Sequence, residues 1–200
     1  MNPVWLGLRR IAADLASERV SWALVGGLGA GARTEPRFTR DVDLAVAVSD
    51  DAEAERVVRA LLVRGYRVSV HLEQEATGRL ATVRLLLPHD AGSDAIVDLL
   101  FATCGIEPEI VAAAQSLTIV PGLSVPVART EHLIAMKVLS QSPRRPQDRI
   151  DLAKLVAAAT PDELRRAREA CALVVDRHTA RGRDLATEFD ALLAEFGRSA

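Results

Sequence analysis

Apolar residues recur at helical spacing over residues 3–17, where Trp5, Leu8, Ile11, Ala12 and Leu15 share one side and Pro3 suits the first turn. The pattern then shortens. SWALV (21–25) reads as a brief strand ended by Gly26-Gly27, and the small residues 28–33 read as a helix. TEPRFT is a loop, because Pro36 interrupts it. DVDLAVAV (41–48) alternates and is β-branched, which predicts a strand, and residues 49–65 predict a helix with an acidic first turn and a glycine stop. Residues 66–72, 78–88 and 93–102 follow as strands, the last nearly continuous in its apolar run, and 106–114 as a helix. Residues 117–127 predict a hairpin turning at Pro121-Gly122. From residue 129 the texture is helical throughout, in four stretches, one opened by the capping box Thr160-Pro161-Asp162-Glu163. The layout is therefore a mixed α/β part over 1–128 and a helical region over 129–200.

Composition narrows the class. The chain has 200 residues, 25 basic and 27 acidic, with a hydrophobic fraction of 49%. That is ordinary globular composition, and it excludes a chain dominated by disorder or one built to coat DNA. The two parts differ little in charge: 12 basic and 16 acidic residues over 1–128, then 13 and 11 over 129–200. No run of 18 apolar residues is present, and only five apolar residues precede Arg9 and Arg10 near the start. Neither a membrane span nor a signal peptide is expected, which predicts a cytoplasmic chain. Cys104 and Cys171 are far apart and predict neither a disulfide framework nor a zinc site. All but two of the basic residues are arginine, the exceptions being Lys137 and Lys154.

Three carboxylates stand where an apolar pattern does not want them. Asp98 lies inside AIVDLLF, and a charge buried in such a strand must be paired with an arginine, with amides, or with a bound cation. Asp41 and Asp43 are two residues apart on a strand, so they leave one face with Cα atoms about 7 Å apart. A divalent ion held by oxygen ligands would relieve their repulsion, and Asp98 on a neighbouring strand would supply a third ligand for a two-ion site. The bland readings are a solvated strand end for Asp41 and Asp43 and a structural aspartate for Asp98. Upstream, Gly26-Gly27 between strand and helix lets a phosphate approach the backbone at a helix start. GGLGAG also invites comparison with a dinucleotide-binding turn. Its glycines fall at 26, 27, 29 and 31, however, which is the wrong spacing, and the next strand opens on two aspartates instead of ending on one acidic residue.

Strand, Gly-Gly, helix, loop and Asp-x-Asp strand, as in ALVGGLGAGARTEPRFTRDVDLAV, resemble the first motif of the DNA polymerase beta-type nucleotidyltransferase superfamily. Arg37-x-Thr39-x-Asp41-x-Asp43 and the later EHLIAMKVLSQSPRRPQDRIDLAKL are similar to the AbiEii/AbiGii toxin-like group. The resemblance implies an α/β (α+β) nucleotidyltransferase fold, a small mixed sheet flanked by helices with a C-terminal helical region. It implies Asp41, Asp43 and Asp98 as magnesium ligands, with Lys137 joining them in catalysis by meeting the triphosphate or the carboxylates. It assigns the nucleotide to Gly26, Gly27, Arg37, Thr39, Arg145 and Asp148, and it makes a nucleoside triphosphate the co-substrate. RNA, such as a tRNA end, is the acceptor it suggests, with an antitoxin protein as partner and no membrane. Two alternatives stay open: a small aminoglycoside-like acceptor, and a non-catalytic relative that binds a nucleotide or a partner. Lys137 has its own bland reading, a stem snorkelling from an apolar helix. Asp148 could simply favour a helix start. The four histidines share no spacing, and Arg165, Arg166 and Arg168 read as a solvated helix face.

Overall fold

The computed structural model describes residues 2–75 and 77–198. Helix α1 (Pro3–Ser17) opens the chain, with the Asn2 side chain accepting from the Val4 amide. Then come β1 (Trp22–Leu24), α2 (Gly26–Arg33), β2 (Asp41–Val46), α3 (Asp51–Val63), β3 (Arg67–Glu73), β4 (Leu80–Leu86) and β5 (Ile96–Leu100). After α4 (Glu107–Ala112), a hairpin of β6 (Gln115–Val120) and β7 (Leu123–Val127) turns at Pro121 and Gly122, the latter at φ +75° as a type II turn requires. Helices α5 (Thr130–Ser140), α6 (Pro146–Ala158), α7 (Pro161–Asp176) and α8 (Leu185–Glu195) complete it. The capping box forms at the start of α7.

The strands make one mixed seven-stranded sheet in the order β3-β4-β5-β2-β1-β7-β6. β2 runs parallel to β5, and β1 parallel to β7; the remaining neighbours are antiparallel. Alternation assigns each face. Val42, Leu44 and Val46 of β2, Val83 and Leu85 of β4, and Val97 and Leu99 of β5 join α1 and α3 in one apolar cluster. The other face carries Ala23, Val25 and Ala45 into a second cluster that continues through α4 and all four C-terminal helices. The helical region thus shares a core with the sheet. Nothing covers this second face over β2, β5, β4 and β3 as fully, and a cleft opens there, lined by residues of all four strands and of α5 and α6.

Two details depart from the sequence pattern. The helix expected from residue 28 begins at Gly26, so the Gly-Gly pair is its first turn and not merely the turn before it. Glycine's poor helix propensity hid this. The strand expected over 93–102 is paired only over Ile96–Leu100, and a 3₁₀ turn, His89–Ala91, follows β4.

Candidate active site

β2 positions the first two carboxylates. Its outward alternation sends Asp41 and Asp43 into the cleft while Val42 and Leu44 are fully buried behind. Parallel pairing sets Asp43 directly opposite Asp98 on β5, and antiparallel pairing sets Asp98 opposite Arg84 on β4. A row Asp43–Asp98–Arg84 therefore crosses three strands. Arg84 grips Asp98 with both ends of its fork, Nε to Oδ1 at 2.8 Å and Nη2 to Oδ2 at 2.7 Å. Asp98 is thus the buried aspartate satisfied by an arginine. Asp41 and Asp43 have no ion-pair partner among the described residues. Burial, reinforced by Asp98 and then Asp41, pushes Asp43 up to about 6.

Asp43 leans on the start of α2. Gly26 has φ +59°, and a Cβ there would fall 1.9 Å from Asp43 Oδ2. No side chain caps this helix, and its first acceptor within the chain is Val25 O, which takes the Gly29 amide. The preceding amides have no hydrogen-bond acceptor among the described residues, at the positive end of the helix. At Gly27 a Cβ would meet the Arg37 guanidinium, with Nη2 at 2.5 Å.

Arg37 leads to a second, buried group. Its Nε and Nη2 donate to the two oxygens of Asp151 at 2.7 and 2.8 Å. Lys137 Nζ lies 2.8 Å from Asp151 and 2.6 Å from Asp148, and Ser140 donates to Asp148 at 3.0 Å. Burial alone would raise Asp151, but Arg37 and Lys137 outweigh it and hold the carboxylate below its usual range. Lys137 does not snorkel: it is 7% exposed and spans α5 to α6. Arg145 approaches Asp148 at 3.2 Å while remaining largely exposed at the cleft edge, and Thr39 lines the cleft with its hydroxyl 3.5 Å from the Asp41 carbonyl.

The cleft encloses about 720 Å³ and brings together Gly26, Gly27, Arg37, Thr39, Asp41, Asp43, Asp98, Lys137, Arg145 and Asp148, the candidate site residues of the sequence. It also contains what sequence reasoning missed. Arg84, Ser140, Arg144 and Arg181 line it, as do the exposed Val70 and Leu72 of edge strand β3. One signal pointed to Arg84: it is the single charge in the alternating ATVRLLL segment, facing the strand with the buried aspartate. Arg165 and Arg168 of α7 are solvated ion pairs as expected, with Asp162 and Asp190, whereas the half-buried Arg166 pairs with Asp162 and also reaches the buried Glu131 of α5 at 3.0 Å.

A mixed sheet carrying an acidic pair beside a glycine-started helix, backed by C-terminal helices, is the fold of nucleotidyltransferases. Solved structures share it. The antibiotic-resistance factor ANT(2'')-Ia, in complex with adenylyl-2''-tobramycin, superposes with a TM-score of 0.57 at 15% identity, covering 88% of this chain and 99% of that one. The lincosamide antibiotic adenylyltransferase LnuA, lincomycin-bound, gives 0.50 at 18% identity, over 76% and 96%. An antigenic nucleotidyltransferase-like protein from Paracoccidioides brasiliensis gives 0.51 at 20% identity, over 88% of each chain. The chain belongs to the AbiEii family, nucleotidyl transferase toxins of type IV toxin–antitoxin systems, whose model matches residues 9–198. It is a nucleotidyltransferase by that membership. No curated protein matches it. Among the described residues no helix is long and apolar enough to cross a membrane.

Proposed function

We propose that the chain moves a nucleoside monophosphate from a nucleoside triphosphate to an acceptor hydroxyl with the help of magnesium. One observation carries this reading: two unpaired carboxylates, Asp41 and Asp43, share one cleft with the uncapped start of α2, against which Asp43 lies. Asp43 is charged only against burial and two like neighbours, so the pair fits a hard cation with oxygen ligands. Asp41 and Asp43 would hold magnesium, two ions with Asp98 as the third carboxylate. Bound there, magnesium would neutralise phosphate charge and lower the pKa of the acceptor hydroxyl.

The chain's own residues do the rest. The amides of Gly26 and Gly27 hold phosphate oxygens at the positive helix end. Thr39 and Arg145 flank the triphosphate. Arg37 packs on Gly27, and Asp151, Lys137 and Asp148 hold it there as positioning residues. The acceptor oxygen bonds to the α-phosphorus as the bond to the bridging oxygen of pyrophosphate breaks, and Asp98 takes the hydroxyl proton.

The acceptor we favour is RNA. Arg40, Arg144 and Arg181 are exposed at or beside the cleft and have no carboxylate partner among the described residues. Phosphates are natural occupants for such cations. The family's setting adds an antitoxin protein as partner. Incubation with each labelled triphosphate, total RNA and magnesium tests the reading: label should enter RNA, and Asp43→Ala should abolish it with an unchanged circular dichroism spectrum. Undiminished transfer by that variant would sink the mechanism. Label appearing on an aminoglycoside but never on RNA would replace the acceptor.

A further inference from the structure

The grip of Arg84 on Asp98 has a consequence for the metal site. Among the described residues, no three acidic, histidine or cysteine side chains converge on a point that would hold an ion. The reason lies in the row across the sheet. Asp41 and Asp43 face the cleft unpaired, whereas the third carboxylate has both oxygens turned to the Arg84 fork. Register fixes this meeting, since Arg84 and Asp98 are directly opposed on β4 and β5. A bidentate, charge-assisted pair of this kind is strong and directional.

Arg84 is more open to solvent than its partner. Its side chain is 39% exposed against 10% for Asp98, and it lies along the open cleft. The other cations pointing inward, Arg37 and Lys137, are spent on Asp151 and Asp148. Arg84 is thus the one cation that forms an ion pair with any of Asp41, Asp43 and Asp98 among the described residues.

We propose that Arg84 is the resident counter-cation of Asp98 and competes with the divalent ion for it, so that Asp98 joins the ion only when the Arg84 fork lets go. Arg84 thereby sets the metal affinity of the site. The inference rests on the reading of Asp41, Asp43 and Asp98 as metal ligands.

Direct metal binding tests it without turnover. Manganese is titrated into the nucleotide-free full chain and the free ion is followed by electron paramagnetic resonance. Arg84→Met should bind Mn2+ about tenfold more tightly than the parent. Arg84→Lys keeps the charge but grips only one oxygen, so it should bind a few-fold more tightly, and it decides the matter if Arg84→Met does not fold. In an Asp98→Asn background the gain from Arg84→Met should be clearly smaller. Unchanged or weaker binding by the folded Arg84 variants would overturn the proposal. So would an equal gain in the Asp98→Asn background, because Arg84 would then act by charge at a distance. A parent chain and variants that all bind no Mn2+ would overturn the metal reading itself.

Discussion

Gly26 shows how little room the site leaves. Its φ of +59° costs another residue about 1–2 kcal/mol, and any Cβ would strike Asp43. We expect Gly26→Ala to lose transfer and to unfold at lower urea concentration. Lys137 is equally constrained. Lys137→Met would leave Asp148 and Asp151 buried with less counter-charge, a loss of about 3–5 kcal/mol for a broken buried pair, visible in the urea midpoint. Two aspartates titrate in opposite senses. Asp43 is raised from 3.8 to about 6, so its folded-state advantage is full below the unfolded value and disappears as pH rises through about 6. The parent in EDTA should therefore lose stability over that window, and Asp43→Asn should not. Asp151 is depressed, so its contribution is present above about 3.8 and is lost as pH falls below that value. Arg37→Ala should flatten this acid limb in urea unfolding followed against pH.

At the scale of elements, period and punctuation made most of the fold legible. Alternation in DVDLAV assigned both the strand and the face carrying Asp41 and Asp43, because the residues between them had to be core. The capping box located α7; Thr160→Ala should cost about 1 kcal/mol, readable by chemical denaturation. What stayed hidden depends on partners rather than on local pattern. No spacing announces that β5 lies between β2 and β4, so the meeting of Asp98 with Arg84 could be named only as some arginine. The apolar surroundings of Lys137 in LIAMKVL left a snorkelling stem open beside a role at the site, and no spacing told that α6 brings Asp148 and Asp151 to it. The pattern of residues 66–72 gives a strand but not its place in the sheet: β3 is an edge, and Val70 and Leu72 are exposed on the cleft wall.

For the whole molecule, the active cleft joins segments that are remote in the chain. A ligand that binds only the folded state stabilises it by mass action. Magnesium with a triphosphate should therefore raise the melting temperature of the entire chain, sheet and C-terminal helices together, in one transition. Two separate transitions would argue against the shared core that runs from Ala23 to Leu193. The Arg37–Asp151 ion pair spans 114 positions of sequence. On the ribosome, residues 1–128 emerge first and contain the acidic pair and the glycine turn, but without residues 129–200 Arg37 has no anchor and the second sheet face lacks the C-terminal helices that share its cluster. The anchor arrives only with α6. The cleft is thus incomplete until most of the chain has been made, because its Arg37–Asp151 pair needs a residue from the last quarter of the sequence.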